Sequence, residues 1–177
     1  MRKIITGMAV MVIACLLFAC EGKTSSGGSG SDSTATILAR NKMTALNSDE
    51  AMGRKDVEGV FKDCSADFID YGNGGYPPMK NLDSIKANMK GFLAAFPDFK
   101  AESLQAVAQG DTVIVTGVWS GTFKNEFMGM KPTQKTFKAA DADIFTFNKE
   151  GKITSHRSIQ SEATYFAQLG IKMPEKK

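Results

Sequence analysis

The chain has 177 residues, a length that fits one domain with additional segments, and 42% of them are hydrophobic, enough for an ordinary core. Its formal net charge is +3; without Arg2 and Lys3, which fall in a segment expected to be removed, 20 basic residues stand against 19 acidic ones, or +1. Because no basic stripe interleaved with aromatic residues remains, the composition argues against a nucleic-acid partner.

The N-terminus has the pattern of a secretory signal. Arg2 and Lys3 precede an apolar run at residues 4–19, which is too short and ends too abruptly for a transmembrane helix. The run closes with Leu-Phe-Ala-Cys at 17–20, which resembles the lipobox of bacterial lipoproteins. That resemblance implies cleavage before Cys20, lipid attachment to Cys20 and an extracytoplasmic place in the bacterial cell envelope, most naturally at the outer membrane. An ordinary signal peptide with an incidental cysteine is the alternative.

The next segment, residues 20–33, combines the lipidated cysteine with a Gly/Ser-rich stretch that lacks apolar anchors. By random-coil scaling it predicts a flexible tether with a reach of roughly 20 Å. The folded domain is expected at 34–177. Cys64 is its only thiol, so no internal disulfide is possible, and a small core residue is the favoured interpretation of Cys64.

Helices come first along this domain and strands follow. Apolar spacing predicts a helix around 37–46, a short helix at 56–62, a strand at 65–71, a Gly/Pro-rich loop at 72–78 and a helix from 81 to 96 that Pro97 ends. Long strands are predicted at 99–108, 112–124, 136–148 and 152–162, and a short helix at 163–169. This order predicts an α+β fold, and such long strands should coil around the helices and leave a conical interior.

The strand at 136–148 carries an anomaly. Its alternation places two carboxylates, Asp141 and Asp143, on the same face as Phe137, Phe145 and Phe147. Burying an ionised carboxylate without a partner costs several kcal/mol or raises its pKa. That face therefore borders a polar cavity, an ion-pair partner or solvent.

Four stretches resemble the SnoaL-like branch of the NTF2-like superfamily. They are FLAAFPD at 92–98, GTF at 121–123 running to FMGMKPT at 127–133, DIFTF at 143–147 with GKI at 151–153, and FAQLG at 166–170. The resemblance spans about residues 35–172. It implies an α+β cone with a ligand cavity, commonly dimeric through the sheet. Its enzymes include polyketide cyclases, which close rings without a cofactor by means of an acid/base carboxylate.

The acid/base set of the cyclases is not intact in this chain. Counted back from Leu169 and Gly170, Arg157 stands where the cyclases have a Trp, and Ser161 stands where they have the Asp. Glu162 is adjacent, but a single step along a strand reverses the face. Where an early strand of the family has Asp-His, this chain has Asp70-Tyr71. The remaining candidates for catalysis are Asp70, Tyr71 and Asp143.

The predicted ligand-binding residues lie on the strands and on the 125–135 loop. The alternatives are structural roles. Asp143 and Arg157 form a cross-strand ion pair, Trp119 packs in the core beside two glycines, and the 125–135 loop folds onto the helices. The set is Tyr71, Trp119, Phe127, Met130, Asp143, Arg157 and Ser161.

We interpret His156, the only histidine, as a satisfied or exposed polar residue; with no carboxylate cluster at ligand spacing, we expect neither a metal nor a cofactor.

Three functions remain open from the sequence. The favoured one is a membrane-anchored domain that binds a small, mostly apolar molecule in the cavity without turnover, since Ser161 replaces the carboxylate. The second is a cofactor-free isomerase or cyclase that uses the cavity Asp and Tyr residues. The third is an interaction module that pairs with a partner, most simply as a homodimer, through the open sheet face.

Overall fold

The computed structural model describes residues 33–172, which form four helices and five strands. The predicted signal peptide, Cys20 and nearly all of the linker lie outside this range. In chain order the elements are α1 (Thr34–Gly53), α2 (Val57–Phe61), β1 (Cys64–Asp70), α3 (Leu82–Ala95), β2 (Lys100–Gln109), β3 (Thr112–Thr122), β4 (Thr136–Phe147), β5 (Ile153–Ile159) and α4 (Glu162–Leu169). No described helix is long and apolar enough to cross a membrane.

Each helix begins at a side chain suited to capping. Ser33, Asp56, Asn81 and Ser161 each accept a hydrogen bond from the backbone N–H three residues further on, which satisfies one of the free amides of the first turn. Gly170 ends α4 in the left-handed conformation, at a φ of 67°, where glycine carries no Cβ penalty.

The five strands form one mostly antiparallel sheet in the order β1-β5-β4-β3-β2, in which only the β1–β5 pair is parallel. Helix α1 packs against β2 and also contacts β3, and α4 packs against β4. A bulge at Ser103 in β2, with a φ of 57°, interrupts the ladder to β3. The α+β prediction, helices on a curved and mostly antiparallel sheet, is confirmed.

Aromatic side chains fill the end of the inner face that carries Trp119. The ring of Trp119 stacks on Phe99 with centroids 5.7 Å apart, and Phe96 stacks on Phe123 at 5.2 Å. The two glycines that flank Trp119 on its face of β3 leave no open space beside it. A Cβ on Gly121 would meet Phe96 at 3.3 Å, and one on Gly117 would overlap Leu104, because both glycines admit a close neighbour.

The last strand is shorter than its sequence pattern predicts. β5 ends at Ile159 rather than at 162, because the Ser161 hydroxyl accepts the Thr164 N–H at 3.3 Å and starts α4. Glu162 therefore belongs to the first helical turn, where its carboxylate accepts a hydrogen bond from the Asn73 side chain at 2.7 Å. The strand-face argument applied to Ser161 and Glu162 was wrong for this reason.

Candidate functional site

Pairing of three strands brings carboxylates and the single histidine to one region of the inner face. In the ladders Asp70 of β1 is the partner of His156 of β5, and Phe145 of β4 is its partner on the other side. Asp143 and Asp141 alternate with Ala142 and so project to the inner face, as their burial pattern shows. Helix α1 covers this region and adds Asp49. We name the five residues Asp49, Asp70, Asp141, Asp143 and His156 the acid–histidine cluster.

His156 is held between two carboxylates. Its Nδ1 lies 3.0 Å from Asp70 Oδ1, and its Nε2 lies 3.0 Å from Asp143 Oδ1. Burial would lower the pKa of His156, but the hydrogen bonds to Asp143 and Asp70 and their negative charges outweigh it and raise the pKa to about 10. Both ring nitrogens therefore donate at neutral pH, and the imidazolium neutralises part of the buried negative charge.

Asp70 is fixed from two sides. Burial opposes its ionisation, yet the hydrogen bond and charge of His156, together with the Gly72 N–H at 2.8 Å, lower the pKa of Asp70. Asp143 is only 7% exposed and has His156 as its charged partner. A mostly buried Asp–His–Asp chain of this kind holds one ring and two carboxylates in a single arrangement.

Asp141 is the half-buried carboxyl of the cluster. Burial and the neighbouring charge of Asp143 raise the pKa of Asp141 to about 6, although three groups donate hydrogen bonds to it. These are the Ala142 N–H at 2.6 Å, the Ser158 hydroxyl at 3.1 Å and the Tyr165 hydroxyl at 3.5 Å. Burial and Asp141 in turn raise the pKa of Tyr165, so this phenol keeps its proton and donates.

Asp49 faces the cluster from α1 and is 6% exposed. Burial and the charges of Asp143 and Asp141 raise its pKa well above the ordinary value, and His156 only partly opposes them. Its Oδ2 has no hydrogen-bond partner among the described residues.

Chemically, the cluster combines an acid/base group with fixed charge. A carboxyl whose pKa is near 6 exchanges its proton readily at neutral pH, which general acid/base catalysis requires. The Asp70–His156–Asp143 chain is held by its own hydrogen bonds and supplies a constant electrostatic field. Perturbed carboxyls of this kind concentrate at functional sites.

The structure brings Asp70 and Asp143 together through His156. It places two other predicted site residues, Arg157 and Tyr71, in contact with each other instead. Arg157 pairs with Ile144 in the β4–β5 ladder, so it lies on the face opposite Asp143. The proposed Asp143–Arg157 ion pair is therefore wrong; His156 is the partner of Asp143. The Arg157 guanidinium instead lies over the Tyr71 ring, 4.9 Å from its centroid, beside the 72–78 loop.

The remaining predicted ligand residues have structural contacts of their own. Trp119 is buried in the aromatic core, although its indole N–H has no partner among the described residues. The loop residues Phe127 and Met130 are half-buried against the core, and the Phe127 ring meets Phe92 at 5.9 Å. Ser161 caps α4 and is exposed. Binding of a ligand by these residues stays a prediction.

Sequence reasoning missed His156, Asp49 and Tyr165 as members of the site. As the only histidine, His156 is interpreted from the sequence as a satisfied or exposed polar residue; its ring is indeed hydrogen-bonded, but its place beside Asp143 depends on a bulge between β4 and β5 near Phe147. A one-residue shift in register reverses every face, and the sequence does not show the bulge. Asp49 carried one usable signal, an acid inside an otherwise ordinary helix, whereas Tyr165 carried none.

Two further features bear on ligands. Within residues 33–172, no group of three or more His, Cys, Asp or Glu side chains has an arrangement that could hold a metal ion. An open depression of about 440 Å³ lies on the outer face of the sheet, where Thr116, Val118, Ala140 and Ala142 are among its lining residues. It is the opposite face from the one to which His156 and Asp143 project.

Comparison with known proteins places this geometry in a family. The sequence model of the family described as SnoaL-like polyketide cyclase matches residues 42–169. No curated protein matches the sequence significantly.

Solved structures are similar along nearly their whole length. AclR from Streptomyces galilaeus, provisionally described as a hydroxylase, is 28% identical with a TM-score of 0.65, over 77% of this chain and 99% of AclR. IdmH from Streptomyces antibioticus, provisionally described as a polyketide cyclase, is 27% identical with a TM-score of 0.61, over 74% of this chain and 99% of IdmH. A SnoaL-like protein from Jannaschia sp. CCS1 shares the fold at 16% identity with a TM-score of 0.70, over 81% of this chain and all of that protein. With the family model covering well over half of its residues, the chain belongs to the SnoaL-like polyketide cyclase family.

Proposed function

We propose that this domain binds a small, mostly apolar molecule that contains a carbonyl group and moves a proton on it without a cofactor. The observation that carries the proposal is Asp141, a half-buried carboxyl whose pKa is raised to about 6 beside a fixed Asp–His–Asp chain. Such a group is useful to a catalyst at neutral pH, because it is a carboxylate that regains its proton easily.

The proposed reaction has two balanced steps. In the first, the Asp141 carboxylate takes a proton from the carbon next to the carbonyl; the C–H electron pair becomes a C=C bond, and the π pair of the carbonyl moves to its oxygen, which gives an enolate. In the second, the enolate carbon attacks another carbonyl carbon of the same molecule, and the alkoxide that forms takes the proton from Asp141, which closes a ring. In a ligand whose enolate is conjugated with a further double bond, Asp141 instead returns the proton to the far carbon, which gives an isomerisation. Ser158 and Tyr165 donate hydrogen bonds to Asp141 and hold it in position.

The relatives do not point to one reaction. AclR and IdmH are about equally similar to this chain, yet one is provisionally described as a hydroxylase and the other as a polyketide cyclase. Function in this fold depends on the site rather than on the scaffold. We therefore name the substrate by its chemistry, an apolar carbonyl compound.

A binding protein without turnover is the second candidate, and one observation favours it. Ser161 stands at the position where the resemblance predicts the cyclase carboxylate. It is an exposed helix cap, and its hydroxyl accepts hydrogen bonds from Thr164 rather than from a residue of the cluster. On this alternative the cluster orients a ligand and does no chemistry on it.

The proposal extends to the rest of the chain. From the sequence, we place the domain outside the cytoplasm, at the outer membrane, held by a lipid on Cys20 and the 20–33 tether. We also propose a homodimer that pairs the outer sheet faces. Both extensions rest on sequence and surface features and are tested separately below.

The test of the acid/base role uses 2-tetralone, an apolar ketone, in D₂O, with loss of its α-proton signal followed by NMR. We expect the protein to accelerate exchange, with a rate that rises as pH increases through about 6, where Asp141 becomes a carboxylate. Replacing the base, Asp141→Asn, is expected to lower the rate by about 100-fold or more.

The control is Asp67→Asn, which removes the same charge from an exposed position of β1 and should leave exchange unchanged. Equal exchange by the wild-type protein and Asp141→Asn would contradict the catalytic proposal. Binding of 2-tetralone with no exchange would favour the alternative, a ligand-binding protein.

A further inference from the structure

We propose that Asp49 donates a hydrogen bond to the carbonyl oxygen of the molecule bound at the acid–histidine cluster. The inference rests on the proposed function, because it supplies the oxygen-binding group for the same proton transfer. It also narrows the ligand to one that presents an acceptor oxygen to α1.

One carboxyl oxygen of Asp49 is buried without a partner among the described residues. Two consecutive polar residues of α1, Ser48 and Asp49, are buried at 5% and 6% exposure. Ser48 donates its hydroxyl to the Val60 carbonyl at 3.0 Å. Asp49 Oδ2 has no such partner among residues 33–172. A buried polar atom left unpaired costs about 1–3 kcal/mol, a cost that a bound molecule would remove.

The charges around Asp49 favour its protonated form. The titratable groups that act on it are Asp143 and Asp141 from β4 and His156 from β5. Two carboxylates and burial favour the protonated acid, and one imidazolium, already shared by Asp70 and Asp143, opposes them only in part. A protonated carboxyl has one O–H to donate, whereas an ionised one could only accept.

A second buried donor lies on β3, the strand next to the one that carries Asp141. The indole N–H of Trp119 is also buried without a partner among the described residues. In the β3–β4 ladder Trp119 lies two residues from Gly117, the partner of Asp141, and therefore on the same, inner face. Two buried donors without acceptors indicate that the missing partner is an acceptor, such as a carbonyl oxygen, and not an ammonium group.

Asp49 acts on the negative charge that develops on the carbonyl oxygen during the reaction. When Asp141 removes the proton, negative charge develops on the carbonyl oxygen, and a hydrogen bond to that oxygen becomes stronger. A donor that is already in place before the reaction stabilises the enolate more than the ketone, which lowers the barrier. Asp49 keeps its proton throughout; only the hydrogen bond changes in strength.

The binding test uses 2-naphthol, an apolar phenol whose oxygen stands in for that of the enolate, with fluorescence as the readout. Asp49→Leu removes the donor and should weaken binding by about ten- to a hundredfold. Asp49→Asn keeps an N–H donor and should stay within about threefold of the wild type. Glu50→Leu, at the exposed next position of α1, is the control and should bind as the wild type does.

A spectroscopic test does not depend on activity or on the leucine variant folding. The infrared difference between the wild-type protein and Asp49→Asn at pH 7 should contain the C=O band of a protonated carboxyl. A carboxylate band in its place would overturn the proposal, as would 2-naphthol binding that is equal in the wild type and Asp49→Leu.

Failure of this inference and failure of the proposed function give different results. If Asp49→Leu loses 2-naphthol while Asp141→Asn still exchanges 2-tetralone protons, the oxygen-binding role stands and the acid/base role of Asp141 fails. If Asp141→Asn loses exchange while Asp49→Leu matches the wild type in both assays, the role of Asp49 fails and that of Asp141 stands.

Discussion

His156 controls the charge of the acid–histidine cluster. Its ring keeps a proton because two carboxylates accept from its two nitrogens, each at 3.0 Å. Without this imidazolium the cluster would place Asp70 and Asp143 close together with no counter-charge, at a cost of several kcal/mol. In the proposed function the histidine is therefore a positioning residue, which holds Asp70 and Asp143 in place.

The chain has one histidine, so its imidazole NMR signals can be assigned without ambiguity. We expect the ring to stay protonated until the pH approaches about 10. Asp70→Asn should lower this midpoint, since it removes one of the two carboxylates that raise it, and Asp67→Asn should not change it. A midpoint near the ordinary value of about 6.5 in the wild type would contradict the arrangement.

Stability should follow the same titration. In the unfolded chain the pKa of His156 is ordinary, at about 6.5, and in the folded protein it is about 10. Its contribution is therefore complete below about pH 6.5 and is lost as pH rises toward 10. The side chain keeps 24% of its surface exposed, so we expect the free energy of unfolding to fall by at most about 1 kcal/mol per pH unit.

At the scale of elements, strand register determines which side chains meet. The alternation in β4 predicted that Asp141 and Asp143 share a face with Phe137, Phe145 and Phe147, and the burial pattern confirms it. The residues of β5 that face the same side could not be predicted in this way, because a bulge near Phe147 shifts β5 relative to β4. As a result Arg157, the predicted counter-ion of Asp143, lies on the outer face, and His156 is the partner of Asp143 instead.

In the proposed homodimer two copies of the chain pair through the outer faces of their sheets. Val107 and Ile159 are 65% and 55% exposed, and the depression that Ile159 helps to line has mainly small and apolar residues around it. We expect sedimentation equilibrium to give the mass of a dimer. Val118→Lys, a charge placed on this face, should give the monomer mass, because it would be buried unpaired between the sheets.

The control is Met128→Lys, which changes an exposed apolar residue in the 125–135 loop and should leave the dimer intact. A wild-type protein with the monomer mass, or a Val118→Lys variant with the mass of the wild type, would contradict pairing through this face.

At the scale of the whole molecule, the sequence predicts a domain tethered to a membrane by residues outside those described here. Metabolic labelling with a palmitate analogue should mark the wild-type protein, and Cys20→Ser should abolish both the label and the membrane association. A single thioether-linked site explains this expectation, because stable anchoring depends on the acyl chains attached there.

Cys64→Ser is the matched control, since it removes the only thiol of the folded domain. Burial raises the pKa of the Cys64 thiol to about 12, so it is a poor nucleophile and should not take up the label. Equal labelling of the wild type and Cys20→Ser would contradict the lipoprotein prediction.

The sequence by itself determined the fold class, the order of helices and strands, the end of α3 before Pro97 and the inner face of β4. These depend on local spacing and on the period of apolar residues, which a single sequence shows directly. It also identified the family, through motifs spread along the chain, and the family model over residues 42–169 agrees.

Only the tertiary structure decided which groups surround Asp141 and Asp143. Asp70 reaches His156 through a parallel pair of strands far apart in sequence, and Asp49 reaches the same region from the first helix. Such neighbours depend on strand register, a bulge and helix packing, and none of these has a local signature in the sequence. The shifted pKa values follow from burial and mutual charge, so they exist only once the chain is folded.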